Sequence, residues 1–165
     1  MIKIRFAGIE DLSTIERLAR EIWPGTYGHI LSAEQLEYML NLIYSPASLQ
    51  NQLQNQHQTF VIAELDNEPI GFASWSFIDD QVCKLHKLYV HQKTQGKGIG
   101  KMLVEFVIEQ IKPQQVKTLR LNVNRYNQAR LFYEKLGFAV VAEEDIDIGN
   151  GYFMIDYIME KPIGS

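Results

Sequence analysis

The sequence predicts a single α/β domain of the α+β kind, with a mixed, mostly antiparallel sheet of about seven strands flanked by helices. Three observations predict it. The 165 residues, 46% of them hydrophobic, suffice for one buried core and fall short of two ordinary domains. Strand and helix periodicities follow in the order strand, helices, three strands, helix, strand, helix, two strands. No linker or internal repeat is visible, so we expect one domain over residues 1–165.

The first half of the chain has the periodicities of one strand, three helices and a strand hairpin. Apolar and charged residues alternate at the start, and apolar positions then recur at helical spacing until Pro24-Gly25, where we expect the helix to stop. Ser32 followed by Gln35 has the spacing of a capping box, and Ser45 before a proline is typical of a helix start. The predicted elements are a strand at 2–6, helices at 11–23 and from 32 and 45 onward, and strands at 59–65 and 69–77.

The second half alternates strands and helices around a glycine-rich segment. Helical spacing begins after Gly98 and ends at Pro113, and a later helical pattern ends at Gly137, a residue type favoured just after a helix. Gly149-Asn150-Gly151 separates two strand patterns and indicates a hairpin. The predicted elements are strands at 82–90 and 119–123, helices at 98–113 and 127–136, and a final hairpin of 138–148 with 152–159.

Composition restricts the classes of function. A formal net charge of −4 argues against general affinity for nucleic acid, so we expect no nucleic acid partner. The single cysteine, Cys83, excludes an internal disulfide, and no Cys/His cluster has metal-ligand spacing, so we expect no metal and a reducing compartment. The start lacks the apolar region of a signal peptide, and no apolar run approaches the roughly 20 residues of a membrane span. We therefore expect a cytoplasmic protein without a membrane partner.

A glycine-rich loop lies between the strand ending at Val90 and the helix that follows. A strand leading into a helix N-terminus forms an anion site, because the unpaired N–H groups and the helix dipole point the same way. The loop is not a Walker A sequence, because Gln95 replaces the first glycine and Met102 replaces the Ser or Thr that holds magnesium. It is not a dinucleotide fingerprint either, because the third glycine, Gly100, falls one residue early.

The loop instead matches Q/R-x-x-G-x-G/A, the pyrophosphate loop of the GNAT superfamily of N-acetyltransferases. Leu88-Tyr89-Val90 precedes it, and a later segment that runs from Asn127 through Tyr133 to Gly137-Phe138 resembles the second GNAT signature. On these motifs and their order the chain is identified as a member of that superfamily. The resemblance implies a GNAT fold and acetyl-CoA as co-substrate, bound without a metal.

The resemblance also implies which residues contact the donor. The loop glycines remove Cβ atoms, so backbone N–H groups can close on phosphate oxygens. The strand before the loop would hold the thioester, with the Val90 N–H facing its carbonyl oxygen. The cofactor-binding residues expected in this way are Leu88, Tyr89, Val90, Gln95, Gly96, Lys97, Gly98, Ile99, Gly100, Lys101, Asn124, Asn127 and Tyr133.

Two residues are candidates for moving protons. An alkylammonium of pKa about 10.4 must lose a proton before it attacks, which costs roughly 4–5 kcal/mol at pH 7, so a base is useful. His86 is the candidate base, since family members acting on aralkylamines carry histidine at the same distance before the loop. Strict alternation would place His86 on one face with Lys84, Leu88 and Val90. Tyr133 is the candidate acid, because the family's tyrosine at this place protonates the CoA thiolate. Acidic residues acting through water are alternatives to His86.

The acceptor is expected to be a small-molecule primary amine that takes the acetyl group directly, without an acyl-enzyme. Flanking segments resemble the bacterial PaiA-like branch of the family, which acetylates spermidine and spermine, and this implies a polyamine. Aromatic residues expected near the acceptor are Trp23, Tyr27, Tyr38, Trp75 and Tyr152. Acidic residues concentrate around the last hairpin, where they would attract a polyamine or simply be solvated: Glu143, Glu144, Asp145, Asp147 and Asp156.

Two alternatives stay open for the function. A protein or peptide N-terminal acetyltransferase would carry the same motifs, and a non-catalytic acetyl-CoA sensor would keep the fold without turnover. Exposed apolar strand edges also leave a homodimer open. The motifs predict the donor, whereas the acceptor must be found in the structure.

Overall fold

Seven strands form one sheet at the centre of the fold, in the order β1-β2-β3-β4-β5-β7-β6. The structure, a computed structural model, describes residues 1–164. Neighbouring strands are antiparallel except β4 and β5, which are parallel. The predicted mixed, mostly antiparallel sheet is therefore confirmed. The strands are β1 (Ile2–Ala7), β2 (Thr59–Leu65), β3 (Glu68–Phe77), β4 (Val82–Val90), β5 (Thr118–Asn124), β6 (Ala139–Gly149) and β7 (Tyr152–Pro162).

Helices cover both faces of the sheet, and the sheet separates the hydrophobic core into two parts. On one face the buried side chains of three helices, such as Ile15 and Leu49, pack against Phe60 and Phe72 of the sheet. On the other face a fourth helix contributes residues such as Leu103. Each such side chain contributes about 1.5–3 kcal/mol on burial. The helices are α1 (Leu12–Tyr27), α2 (Ala33–Tyr44) and α3 (Pro46–Gln54) on the first face, and α4 (Ile99–Ile111) and α5 (Ala129–Lys135) on the second.

Two serine caps start α2 and α3 where the sequence predicts. The Ser32 hydroxyl accepts a hydrogen bond from the Gln35 N–H at 3.1 Å, and the Ser45 hydroxyl accepts one from Ser48 at 3.3 Å. The Gln35 side chain does not return to Ser32. It donates to the Phe153 carbonyl oxygen at 3.0 Å and so ties α2 to β7.

Helix α1 continues past the predicted stop at Pro24-Gly25 and ends at Tyr27. Proline removes one hydrogen bond from the turn that precedes it, at a cost of about 3 kcal/mol inside a helix. The next turn still closes, because the Gly28 N–H donates to the Pro24 carbonyl at 2.9 Å. The extra turn brings the Tyr27 ring to 4.6 Å from the Trp23 ring, centroid to centroid. The prediction that the helix stops at Pro24 is therefore wrong, and the packing gained by Tyr27 explains why.

A β-bulge interrupts the pairing of β3 with β4. Ser74 pairs with Lys87, whereas the next residue of β3, Trp75, pairs with Leu85. One residue of β4, His86, is thus left without a partner on β3.

The bulge reverses the predicted faces of the second half of β4. Leu88 and Val90 pack on the core beside α4, together with Leu85, whereas Tyr89 packs on the core beside α1. The prediction that His86 shares a face with Leu88 and Val90 is therefore wrong. His86 lies instead on the side of Tyr89, because the extra residue shifts the alternation by one.

Strands β4 and β5 separate near the middle of the sheet. Their parallel pairing ends where Leu85 meets Leu121. Beyond that point β4 continues to Val90 paired only with β3, and β5 continues to Asn124 paired only with β7. A gap therefore opens between their carboxyl ends, next to the start of α4.

Candidate active site

The gap between β4 and β5 forms a cavity of about 610 Å³, called here the donor cavity. Segments from distant parts of the chain meet in it: the end of β4, the glycine loop, the end of β5 and the start of α5. Two of the predicted donor residues do not line it, since Lys97 is exposed on the loop and Asn124 faces a second cavity. Those that do are Leu88, Tyr89, Val90, Gln95, Gly96, Gly98, Ile99, Gly100, Lys101, Asn127 and Tyr133.

The glycine loop presents free backbone N–H groups at the mouth of the donor cavity. Gly96 and Gly98 have φ of +86° and +73°, the left-handed region that favours glycine. The Met102 N–H donates to the Gly98 carbonyl at 3.1 Å, so the N–H groups from Ile99 to Lys101 precede the first bond within α4. A Cβ at Gly96 or Gly98 would meet nothing within 4 Å, so the space above the loop is open. Free N–H groups, open space and a helix N-terminus together fit a pyrophosphate.

Gly100 has a different reason to be glycine. A Cβ there would lie 3.1 Å from Cζ of Phe132, so the missing side chain lets α4 approach α5. Phe132 is half-buried and lines the donor cavity in addition to packing on the core.

The backbone of β4 also faces the gap. The His91 N–H donates to the Ile70 carbonyl of β3 at 2.7 Å. Because hydrogen-bonded and non-bonded pairs alternate along an antiparallel ladder, the N–H and C=O groups of Leu88 and Val90 point away from β3, into the donor cavity. These groups are free to pair with an extended, amide-containing ligand.

Tyr133 projects from α5 into the donor cavity and is 8% exposed. Its ring packs edge-on between Phe132 and Phe138, at centroid distances of 5.1 and 5.6 Å. Burial raises the pKa of the Tyr133 hydroxyl, and Tyr27 raises it further. The hydroxyl therefore stays protonated and can donate a hydrogen bond or a proton.

His86 lines the donor cavity, and its Nε2 lies 2.7 Å from the Ser76 hydroxyl oxygen. Burial lowers the pKa of His86 to about 3, and the charges of Lys87 and Lys84 contribute in the same direction. The imidazole is therefore neutral near pH 7.

A second cavity of about 290 Å³ lies on the α1 side of the sheet and is called here the acceptor cavity. It shares wall residues with the donor cavity, among them His86, Tyr89 and Asn122, so the two spaces meet in the middle of the sheet. Trp23 and Tyr27 line it, where the sequence placed acceptor contacts. The Tyr27 and Tyr89 hydroxyl oxygens are 2.8 Å apart at the junction.

The other predicted acceptor aromatics lie elsewhere. Trp75 is 3% exposed in the core beside α4 and packs against Phe6, because the strand alternation of β3 turns it to that face. The Tyr38 hydroxyl donates to the Ile148 carbonyl at 2.6 Å, and its ring lies 5.2 Å from that of Tyr152. Tyr38 and Tyr152 connect α2 to the last hairpin and do not line the acceptor cavity. Trp75, Tyr38 and Tyr152 are therefore not placed to contact an acceptor there.

Buried charged residues also line the acceptor cavity: Lys87, which the sequence did not single out, and Asp156, one of the acids noted around the last hairpin. Lys87 is 6% exposed, and its ammonium donates to the side-chain oxygens of Gln52 at 2.5 Å and Gln58 at 3.0 Å. Asp156 is 4% exposed, and its carboxylate accepts a hydrogen bond from the Asn122 amide at 3.2 Å. Nothing in the sequence around Lys87 indicates that its ammonium is buried. Asp156 stood among five acids in the sequence, and nothing in their pattern distinguished the buried one.

Within residues 1–164, no group of three or more His, Cys, Asp or Glu side chains is arranged to hold a metal ion. None of the helices in that range combines the length and apolarity needed to cross a membrane.

Comparisons with known proteins identify the family of this chain. Residues 29–161 match the family model of the acetyltransferase (GNAT) domain. A spermidine N(1)-acetyltransferase of Thermoplasma acidophilum is 36% identical over 97% of this chain and 96% of that protein. A [ribosomal protein bS18]-alanine N-acetyltransferase of Haemophilus influenzae is 33% identical over 72% of this chain and 77% of that protein.

A solved structure extends the agreement to three dimensions. The PaiA N-acetyltransferase of Thermoplasma acidophilum, in complex with coenzyme A, superposes with a TM-score of 0.82 at 35% identity, covering 98% of this chain and 99% of that one. The predicted resemblance to the PaiA-like branch is confirmed by this match. The chain therefore belongs to the GNAT family of N-acetyltransferases, enzymes whose acetyl donor is acetyl-CoA.

Proposed function

We propose that this enzyme transfers the acetyl group of acetyl-CoA directly to a primary amine of a polyamine such as spermidine. The observation that carries the proposal is the acceptor cavity, which combines aromatic walls with a buried carboxylate and meets the donor cavity at His86. Aromatic faces such as Trp23 and Tyr27 attract alkylammonium chains, and a carboxylate attracts the ammonium itself. The relative that is 36% identical is named for spermidine, which supports the same choice.

The donor cavity suggests a role for each part of acetyl-CoA. The free N–H groups around Gly98 would hold the pyrophosphate, and Leu88 and Val90 would pair with the pantetheine amides. The Val90 N–H would donate to the thioester carbonyl oxygen and stabilise the charge that develops on it. As the amine nitrogen bonds to the carbonyl carbon, the carbon–sulfur bond breaks and the sulfur takes a proton from the Tyr133 hydroxyl.

Cys83 supports direct transfer over an acyl-enzyme. The thiol is fully buried, and burial raises its pKa to about 12, so a nucleophilic thiolate is disfavoured at neutral pH. It also lies in the core beside α4 and lines neither cavity.

His86 contacts the acceptor in this proposal without removing its proton. The ring lines both cavities, and its low pKa makes it a poor proton acceptor. A neutral imidazole beside Ser76 can still hydrogen-bond the amine and orient it.

Peptide N-terminal acetylation is the second candidate, since the relative that is 33% identical acts on the alanine of ribosomal protein bS18. A panel of polyamines, monoamines, amino acids and Ala-peptides, followed by release of free CoA thiol, separates the candidates. Spermidine turnover at least about tenfold above any peptide in kcat/KM, or 1.4 kcal/mol, is the expected result. Turnover of peptides alone would refute the polyamine assignment, and no turnover of any amine, with CoA still bound, would indicate a sensor.

A further inference from the structure

Asp156 of β7 is a buried carboxylate without a cationic partner. Its one side-chain hydrogen bond comes from the neutral amide of Asn122. Among the described residues, no Lys, Arg or His nitrogen lies within 4.0 Å of its carboxylate oxygens. The neighbouring Arg125 donates to the main-chain carbonyl of Asp156 at 3.3 Å, and its guanidinium pairs with the carboxylates of Asp145 at 2.7 Å and Glu143 at 3.6 Å. Burying a carboxylate without a cationic partner costs free energy, which indicates that a cation binds beside Asp156 when the enzyme is active.

Asp156 also lies where a reacting nitrogen must pass. The nitrogen has to reach the thioester in the donor cavity from the acceptor cavity, and therefore crosses the junction of the two. Asn122, the hydrogen-bond partner of Asp156, lines both cavities, whereas Asp156 lines the acceptor cavity. The carboxylate is thus one side chain away from the junction, on the acceptor side.

The charged and titratable surroundings of Asp156 come from every element around it. Burial raises the pKa of Asp156, and Glu144 on β6 raises it further, whereas Asn122, Lys84 and Arg125 lower it. The remaining titratable groups on the walls of the same cavity are the side chains of Tyr27, Tyr44, His86, Lys87 and Tyr89. The net effect is a carboxylate that holds a proton more strongly than an exposed aspartate does, which suits a base.

We propose that Asp156 is the catalytic base of this enzyme: it binds the acceptor ammonium and takes one proton from it before the attack. This inference rests on the proposed function. The ammonium RNH₃⁺ becomes RNH₂ and Asp156 becomes a carboxylic acid, which later releases its proton to water. The amine lone pair forms the carbon–nitrogen bond, the carbon–sulfur bond breaks, and the sulfur takes the proton of the Tyr133 hydroxyl. The second proton then leaves the nitrogen and restores the Tyr133 hydroxyl. The sum is amide, CoA thiol and one released proton.

The test compares native enzyme with Asp156→Asn, which keeps the shape and the bond to Asn122 but removes the base. We expect kcat/KM for spermidine to fall by about 10²–10³-fold at pH 7, with the affinity for CoA unchanged by calorimetry. The loss should shrink to less than about tenfold at pH 10, where the free amine is abundant without a base. Asp80→Asn is the matched control, since Asp80 is exposed in the β3–β4 turn and lines neither cavity. It should behave as native enzyme.

Several results would overturn the assignment. Activity of Asp156→Asn within about threefold of native at pH 7 is one, since a general base contributes at least about 10²-fold. A loss of the same size at every pH is another, because it would indicate a structural role. A third is a pH-dependent loss in His86→Gln but not in Asp156→Asn, which would return the base to the histidine.

A binding measurement keeps the inference testable even if the native protein acetylates no amine in the panel. Spermidine is titrated into the CoA complex of native protein while the ¹³C signal of the Asp156 carboxyl is followed. A shift of that signal, and a loss of spermidine affinity of about tenfold or more in Asp156→Asn, support the site. Equal affinity in the two proteins overturns it, whatever the outcome of the turnover panel.

Discussion

Replacing Lys87 by methionine is expected to remove a distinct pH dependence from the stability of this enzyme. The Lys87 ammonium is buried against the amide oxygens of Gln52 and Gln58, with the rings of Tyr44 and Phe60 at 5.8 and 5.3 Å. Among the described residues, no carboxylate lies within 4.0 Å of it. Burial lowers the pKa of Lys87 to about 7, and the charge of Lys84 contributes in the same direction.

The magnitude follows from the difference in protonation between the folded and unfolded chain. An unfolded lysine has a pKa of about 10.4, so between pH 7 and 10.4 the unfolded chain binds a proton that the folded chain does not. The free energy of unfolding therefore rises with pH in this window, by up to 1.36 kcal/mol per unit. From pH 7.5 to 9.5 the gain from Lys87 is about 2–3 kcal/mol.

Urea unfolding followed by circular dichroism from pH 6 to 9.5 measures this gain. Other buried groups act in the opposite direction, because burial raises the pKa of Cys83 and Tyr133 and the unfolded state loses those protons first. The difference between native protein and Lys87→Met cancels these contributions. Lys112→Met, which removes an exposed lysine, is the control and should leave the pH dependence unchanged. Parallel stability curves for native protein and Lys87→Met would refute a neutralised lysine at this position.

Three further changes test other parts of the site. Tyr133→Phe should lower kcat by about 10²-fold or more with CoA affinity unchanged, since it removes the proton donor and keeps the ring; steady-state kinetics and calorimetry check this, and an unchanged kcat would contradict the assignment. Gly98→Ala should cost about 1 kcal/mol of stability by urea unfolding, because alanine is strained at a φ of +73°, and a more stable variant would refute this. Glu144 pairs with Asp156 across β6 and β7 on the same face and is exposed, so it is placed to bind a second ammonium. Glu144→Gln should raise the KM for spermidine several-fold and leave that for n-butylamine unchanged, whereas equal effects on both amines would contradict a role in polyamine recognition.

Local signals predicted most of the fold, because each depends on residues close in the sequence. The serine at position 32 caps α2 through the N–H three residues later, and Gly98 starts α4 in the conformation that glycine favours. The donor part of the site was predictable for the same reason: a pyrophosphate loop is one continuous segment. Pro24 was misread because the packing of Tyr27, a tertiary contact, outweighs the local preference.

The acceptor part could not be predicted because its residues come from separate strands and helices. Trp75 and Trp23 are both aromatic and both 3% exposed, yet they lie on opposite faces of the sheet. Asp156 is buried whereas Asp145 is exposed, and this difference is set by the order of β5, β7 and β6. No periodicity of a single strand contains that information.

The extra residue in β4 has a consequence for transferring residue roles between relatives. Because His86 has no partner on β3, deleting it would restore regular pairing and leave the residues that follow on the sides they have now. The residue four positions before Val90 would then be Leu85, which packs on the core beside α4, on the opposite side of the sheet from His86. Counting backward from the glycine loop therefore identifies an equivalent histidine only in proteins that share this irregularity. For a relative without the extra residue, an alignment that leaves no gap in β4 compares residues before the bulge that point to opposite sides of the sheet.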